Sequence, residues 1–159
     1  VLFRSQPLYI ARRLVRASVE DIGMADPQAV VQAIAAKDVY DFLGSPEGEL
    51  ALAQLVIYLA TAPKSNAVYT AFGASKRAAA EHGSLIPPAH ILNAPTKLMK
   101  NLGYGAGYEY DHATEEAFSG QNYFPDGMER QSLYTPSERG FEKEIAKRLA
   151  YWAKLRARG

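Results

Sequence analysis

The chain has 159 residues and a net charge of +1; 48% of its residues are hydrophobic, 22% are charged and none is cysteine. This composition is that of one globular domain, or of one domain with a long appendage, and it excludes a disordered chain. The absence of cysteine excludes disulfides and thiol chemistry. No signal peptide is recognisable and no apolar run reaches the ~20 residues of a bilayer span, so we expect a cytoplasmic protein without a membrane partner.

Positive charge is concentrated towards the C-terminal end of the chain. Residues 139–159 have a net charge of +5, whereas the preceding residues have a net charge of −4. A basic helix is typical of a surface that meets nucleic acid or an acidic partner, and Lys147 and Arg148 are its candidate nucleic-acid contacts. The alternative interpretation is a solvated polar helix face, which is the commoner meaning of a charge run.

Four helices in succession are predicted over residues 7–83. Each begins at a proline or at a polar residue that can cap the first turn, and glycines mark most of the ends. Because the loops between them are short, neighbouring helices are expected to pack antiparallel in an all-α bundle. The predicted helices run from Pro7 to Gly23, from Asp26 to Gly44, from Glu47 to about Ala62, and from Ser65 to Gly83.

The third of these helices is apolar on nearly every side. Such a helix is expected to be central and buried on several sides, either in the core of the bundle or in a contact between subunits. Four of its residues are therefore predicted to be core or oligomer-interface positions: Leu52, Leu55, Val56 and Leu59.

Residues 84–159 form a C-terminal extension with a different pattern, which we expect to pack on the bundle. Its arm, over residues 103–137, has little periodicity but is rich in tyrosine. Aromatic side chains bury large areas, so the arm is expected to be ordered, with Tyr104, Tyr123 and Phe124 as its anchors. The other parts of the extension are a proline-containing loop over 85–95, a short helix from Thr96 to Leu102, and a basic helix from about Glu138 to Arg158.

No constellation of catalytic, cofactor-binding or metal-ligating residues is apparent in the sequence. The glycine-rich segment 103–107 lacks the strand–loop–helix setting of a phosphate site, so a structural turn is favoured. The three histidines lack metal-ligand spacing, and Lys64-Ser65 is better explained by a helix cap at Ser65 next to a solvated Lys64 than by nucleophilic chemistry. We therefore predict no catalytic residue, no cofactor and no metal in this chain.

A series of short motifs runs along nearly the whole chain: ARRLVR (11–16), EDIGMADP (20–27), LATAPKSNAVY (59–69), NAPTKLMK (93–100), GYG (103–105), QNYFP (121–125) and YTP (134–136). Together they resemble the C-terminal region of the MgsA/RarA family of AAA+ replication-associated recombination ATPases. Residues 1–5 depart from the family's approach to the first helix.

The resemblance implies a role as well as a fold. In this family an AAA+ module, which holds the ATP and Mg sites, and a helical lid precede the C-terminal region. That region is a helical collar, similar to the post-AAA+ oligomerisation domains of clamp loaders. The resemblance implies a nucleoid-associated homotetramer that acts at stalled forks with DNA and the single-stranded-DNA-binding protein.

For the present chain, the resemblance therefore implies a non-catalytic oligomerisation domain. The alternative is a module that binds DNA or a partner protein through the basic C-terminal helix.

Overall fold

The structure is a computed structural model that describes residues 6–157. Within these residues it is all helical and contains no strand, which confirms the predicted all-α class. Residues 1–5, where the family pattern is not followed, lie outside the described residues. The α-helices are α1 (Pro7–Ala17), α2 (Gln28–Leu43), α3 (Glu49–Thr61), α4 (Ala67–His82), α5 (Lys97–Asn101) and α6 (Glu142–Arg156).

The described residues divide into two compact units. The first unit contains the residues up to Gly73 together with residues 134–146, and the second contains residues 74–133 together with those from Lys147 onward. This division differs from the sequence-based one between residues 83 and 84, because a segment far along the chain belongs to the first unit. The contacts that hold this segment are described below.

Helices α1, α2 and α3 form the core of the first unit. Much of this core consists of alanine, which lets helix backbones approach closely. The leucines of α3 fill the remaining space from one side. The buried core residues are Ala11, Ile22, Ala29, Ala33, Ala36, Leu52, Leu55 and Leu59.

The start of α2 shows how local capping and tertiary packing combine. Asp26 Oδ1 accepts a hydrogen bond from the Gln28 amide at 3.1 Å, so Asp26 caps the helix as the Asp-Pro signal predicts. Its other oxygen, Oδ2, accepts a hydrogen bond from the Tyr58 hydroxyl at 2.6 Å. The same carboxylate therefore begins α2 and joins it to α3.

Lys64 and Ser65 occupy the turn between α3 and α4. The Lys64 ammonium donates to the carbonyls of Leu59 at 2.8 Å and Ala62 at 2.5 Å, at the C-terminal end of α3, where a cation is favoured. Ser65 Oγ accepts a hydrogen bond from the Ala67 amide at 3.2 Å. Both side chains thus cap helices, and neither is arranged as a nucleophile with its base.

Glu20 follows α1 in a π-helical turn that extends from Ser18 to Ile22. Its carboxylate pairs with Arg16 one turn earlier, with 2.6 Å between Oε2 and Nε. The continued helical path brings Arg16 and Glu20 onto the same face.

In the second unit, the tyrosine-rich arm is ordered by turns and side-chain hydrogen bonds instead of long helices. The Gln121 amide donates to the Gly107 carbonyl at 2.7 Å and accepts from the Glu109 amide at 3.1 Å. Asp111 Oδ1 accepts from the Ser119 amide at 2.8 Å, and this bond helps to lower the pKa of the Asp111 carboxyl. The glycine-rich segment is therefore a structural turn closed by Gln121.

Candidate functional site

The most prominent surface feature of the first unit is a set of large apolar side chains that α2 and α3 expose. Phe42 is 88% exposed, Leu50 75% and Ile57 67%. Side chains of this size are normally buried, and contiguous apolar surface marks sites of association. Further exposed apolar residues on the same two helices are Val31, Ile34, Val39, Leu43 and Val56.

A groove of about 170 Å³ lies between α2 and α3. Its walls are formed mainly by alanine and apolar stems, with two glutamines at the edges. The lining residues are Gln32, Ala35, Ala36, Val39, Ala51, Gln54, Leu55 and Tyr58. The groove and the exposed apolar residues together make α2 and α3 the candidate association surface.

The four residues selected on α3 lie in two different environments. Leu52, Leu55 and Leu59 are buried against α1 and α2, whereas Val56 is 40% exposed. The expectation that α3 is buried on several sides is wrong for this chain by itself, because only one of its faces packs against neighbours. The role of these four residues in an oligomer interface stays a prediction, and Val56 is the one of the four whose side chain is exposed.

The three predicted anchors of the arm are only partly buried. Tyr104 and Phe124 are half-buried, and Tyr123 remains largely exposed. The Tyr123 ring lies 6.0 Å from the His90 ring, and its hydroxyl is 3.3 Å from Ser119 Oγ. Tyr123 therefore has contacts within the second unit, and the role of all three residues as anchors or in an oligomer remains a prediction.

The basic helix α6 does not present Lys147 and Arg148 as unengaged cations, because both interact with other residues of the chain. Near the end of the helix, Phe118 stacks on Trp152 with 5.9 Å between ring centroids, and the Arg156 guanidinium lies 5.0 Å above the Phe118 ring. Arg156 Nε is buried with no hydrogen-bond acceptor. Burial, followed by the nearby charge of Arg130, lowers the pKa of the Arg156 guanidinium.

A buried carboxylate at the start of α6 organises the part of the first unit that comes from residues 134–146. Glu142 is fully buried and accepts hydrogen bonds from the Tyr134 hydroxyl at 2.6 Å and the Ser137 amide at 2.8 Å. The Ser137 and Ser65 hydroxyls add further hydrogen bonds. Burial raises the pKa of the Glu142 carboxyl, but these donors outweigh it and bring the pKa below its ordinary value.

Backbone contacts secure the same segment. The Phe141 amide donates to the Ala25 carbonyl at 2.8 Å, and the Arg139 guanidinium donates to the Lys64 carbonyl at 3.1 Å. Gly140 has a φ of +49°, and a Cβ placed on it would lie 2.0 Å from the Ala25 oxygen. Helix α6 therefore begins at Glu142, not at Glu138 as predicted, and sequence reasoning missed both Gly140 and Glu142.

The described residues contain no grouping typical of a metal centre. Nowhere in residues 6–157 do three or more histidine, aspartate or glutamate side chains come together as metal ligands would. His82 Nδ1 is 2.9 Å from the Ala78 carbonyl, and His112 stacks with Tyr110. Over the same residues, each helix is too short or too polar to cross a membrane.

Comparison with protein families gives a match over residues 3–153 to the family described as MgsA AAA+ ATPase C terminal. The chain belongs to this family. It is 49% identical over 148 residues to Replication-associated recombination protein A of Escherichia coli K12 and 48% identical over 150 residues to the protein of that name from Coxiella burnetii. These alignments cover 92% and 94% of the chain.

The chain is also similar to a eukaryotic protein. The chain is 41% identical over 130 residues to ATPase WRNIP1 of Dictyostelium discoideum, an alignment that covers 81% of this chain and 15% of that protein. The chain spans about a third of the length of its bacterial relatives, at 33% for Escherichia coli and 34% for Coxiella burnetii. The family model and these identities confirm the resemblance found in the motifs.

Proposed function

We propose that this chain is the C-terminal oligomerisation domain of a RarA-type AAA+ ATPase that acts in replication-associated recombination at stalled forks. The observation that carries the proposal is the exposed apolar surface of α2 and α3. Subunit contacts of an obligate kind bury ~2,000 Å² or more and are rich in such residues. A domain with this surface is suited to assembly, and a homotetramer is the assembly that the resemblance implies.

In this proposal, ATP binding and hydrolysis are carried out by residues outside this chain. The ATP and Mg sites of the proposed protein belong to an AAA+ module, and contacts with DNA and with the single-stranded-DNA-binding protein belong to the full-length assembly at the nucleoid. In this proposal the 159 residues hold subunits together in a helical collar of the clamp-loader kind and have no ATPase activity.

The first test is the solution mass of the purified chain, measured by light scattering over a dilution series. A stable tetramer is the expected result, and a monomer at every concentration would refute assembly through these residues. Val56→Asp places a charge on the exposed part of α3 and is expected to dissociate the oligomer. Ala80→Asp, at an exposed position of α4, is the matched control and should keep the native mass.

A second candidate function is nucleic-acid binding by the basic helix α6. It is favoured by the net charge of +5 over residues 139–159. Binding should then weaken steeply with salt and be lost on reversing Lys147 and Arg148 to glutamate. Unchanged affinity in that double variant, measured by fluorescence anisotropy with a labelled single-stranded oligonucleotide, would exclude this function for the helix.

A further inference from the structure

We infer that two copies of the chain pair through α2, with Phe42 of each copy inserted into the groove between α2 and α3 of the other. The inference rests on the proposed oligomerisation and names the contact through which it occurs. It follows from three properties of this surface: an exposed ring, a groove of matching size, and their placement on one helix.

The exposed ring is that of Phe42. It lies in the last turn of α2 and is 88% exposed, which is the highest exposure of any large apolar residue in the described chain. Val39 and Leu43 beside it are also exposed apolar residues, and Asp38, four residues earlier, places a carboxylate on the other flank of the ring. An apolar side chain in this setting is favoured to insert into a pocket on another molecule.

The groove has the size of such a ring. Its volume is about 170 Å³, and a cavity of ~150 Å³ in a protein interior is large enough to hold benzene. Small side chains create this space, since Ala35 and Ala36 of α2 face Ala51 of α3. The floor of the groove is the buried Leu55, so an inserted ring would contact the hydrophobic core.

Ring and groove occupy one stripe of α2. Gln32, Ala35, Val39 and Phe42 are separated by three or four residues and therefore lie on the same side of the helix. Phe42 follows Gln32 by ten positions, which is about 15 Å along the axis. When two α2 helices lie antiparallel about a two-fold axis beside Val39, Phe42 of each copy comes opposite Ala35 and Ala36 of the other at the same time.

A second copy is the occupant that satisfies both features in one contact, because a two-fold interface requires the same patch on both partners. Lys37 lies on the opposite side of α2 from the stripe and pairs with Asp41 at 2.5 Å and with Asp38 at 3.2 Å within its own helix. The Lys37 ammonium therefore does not have to be buried by the pairing. In a tetramer, this pairing would be one of two kinds of contact.

The test is a complementation experiment with two variants of the 159-residue chain. Phe42→Ala removes the ring, and Ala35→Phe fills the groove. Both positions are exposed, so both variants are expected to keep the native helix content by circular dichroism and the native melting temperature. Ile86→Ala is the matched control, because it removes an exposed apolar side chain that lies outside α2, α3 and the groove.

Each variant alone is expected to dissociate at least ten-fold more readily than the wild type, with its mass falling to half or less. An equimolar mixture should recover association. In the mixed pair, Phe42 of the Ala35→Phe chain enters the open groove of the Phe42→Ala chain, and the ring introduced at position 35 fills the groove of its own chain. Native mass spectrometry distinguishes this heteromer from either homomer. Ile86→Ala should assemble as the wild type does.

The outcomes separate this inference from the proposed function. If the wild type assembles and both variants assemble equally well, oligomerisation stands and the Phe42 contact is refuted. If each variant dissociates but the mixture does not recover, the ring binds a different surface, and the reciprocal pairing is refuted. If the wild type is monomeric at every concentration, both proposals fall.

Discussion

Replacing the buried Glu142 tests how residues 134–146 are held in the first unit. Glu142→Ala removes the acceptor of four hydrogen bonds, donated by the Tyr134 hydroxyl, the Ser137 amide and the hydroxyls of Ser137 and Ser65. A buried donor left without an acceptor costs about 1–3 kcal/mol, although hydroxyls can turn towards other acceptors. We therefore expect a loss of about 3–5 kcal/mol in the free energy of unfolding.

The isosteric change Glu142→Gln separates charge from shape. The amide oxygen can still accept from Ser137, and the Tyr134 hydroxyl can reverse its role and accept from the amide nitrogen. What is lost is the extra strength of hydrogen bonds to a charged acceptor, so the cost should be about 1–3 kcal/mol. The order of stability should be wild type, then Glu142→Gln, then Glu142→Ala.

Urea unfolding followed by circular dichroism gives these free energies. At ~2–4 °C per kcal/mol for a chain of this size, Glu142→Ala should lower the melting temperature by about 10 °C. Glu144→Ala is the matched control, since Glu144 is an exposed acid of the same helical turn. Equal stabilities of Glu142→Ala and Glu144→Ala would refute the argument that the buried carboxylate holds this segment.

Three further predictions concern the pH dependence of stability, Gly140 and Tyr58. The pKa of the Glu142 carboxyl is lowered below 4.5 on folding. The contribution of this carboxylate to the free energy of unfolding is therefore complete above pH 4.5 and is lost as the pH falls through the folded-state pKa. Urea unfolding at a series of pH values should show this loss in the wild type and not in Glu142→Gln. Gly140→Ala should cost at least about 2 kcal/mol in urea unfolding, through the contact with the Ala25 carbonyl and the strain at positive φ. Gly127→Ala, with a similar positive φ and no atom nearby, should cost about 1 kcal/mol, and equal losses would contradict the contact. Tyr58→Phe should lower thermal stability by about 1 kcal/mol, since it removes the hydrogen bond to Asp26, and an unchanged melting temperature would show that water replaces it.

The helices of the first unit could be predicted because their signals are local. The Asp26 carboxylate caps α2, and Ser65 caps the start of α4, through atoms only two residues away in each case. Capping of this kind depends on residue type and short spacing, both of which are visible in a sequence. The all-α class followed from the same signals.

The candidate site could not be predicted in the same way, because it depends on which apolar face meets the core. Leu55 and Val56 are adjacent in the sequence and equally hydrophobic, yet Leu55 is buried and Val56 is 40% exposed. The burial of Glu142 could not be predicted from the sequence either, since an acid in the first turn of a helix is ordinarily solvated. One of its hydrogen-bond donors is Ser65, which is far away in the sequence.

The discontinuous make-up of the first unit has a consequence for synthesis on the ribosome. Residues 134–146 belong to this unit but are translated only after the intervening residues 74–133. At ~5–20 residues per second, completion of the unit lags behind the synthesis of Gly73 by about 4–15 s. During that interval, Ser65 and the Ala25 carbonyl lack their partners from the later segment. The nascent bundle is therefore expected to become resistant to protease in two steps, the second only when residue 146 has left the exit tunnel.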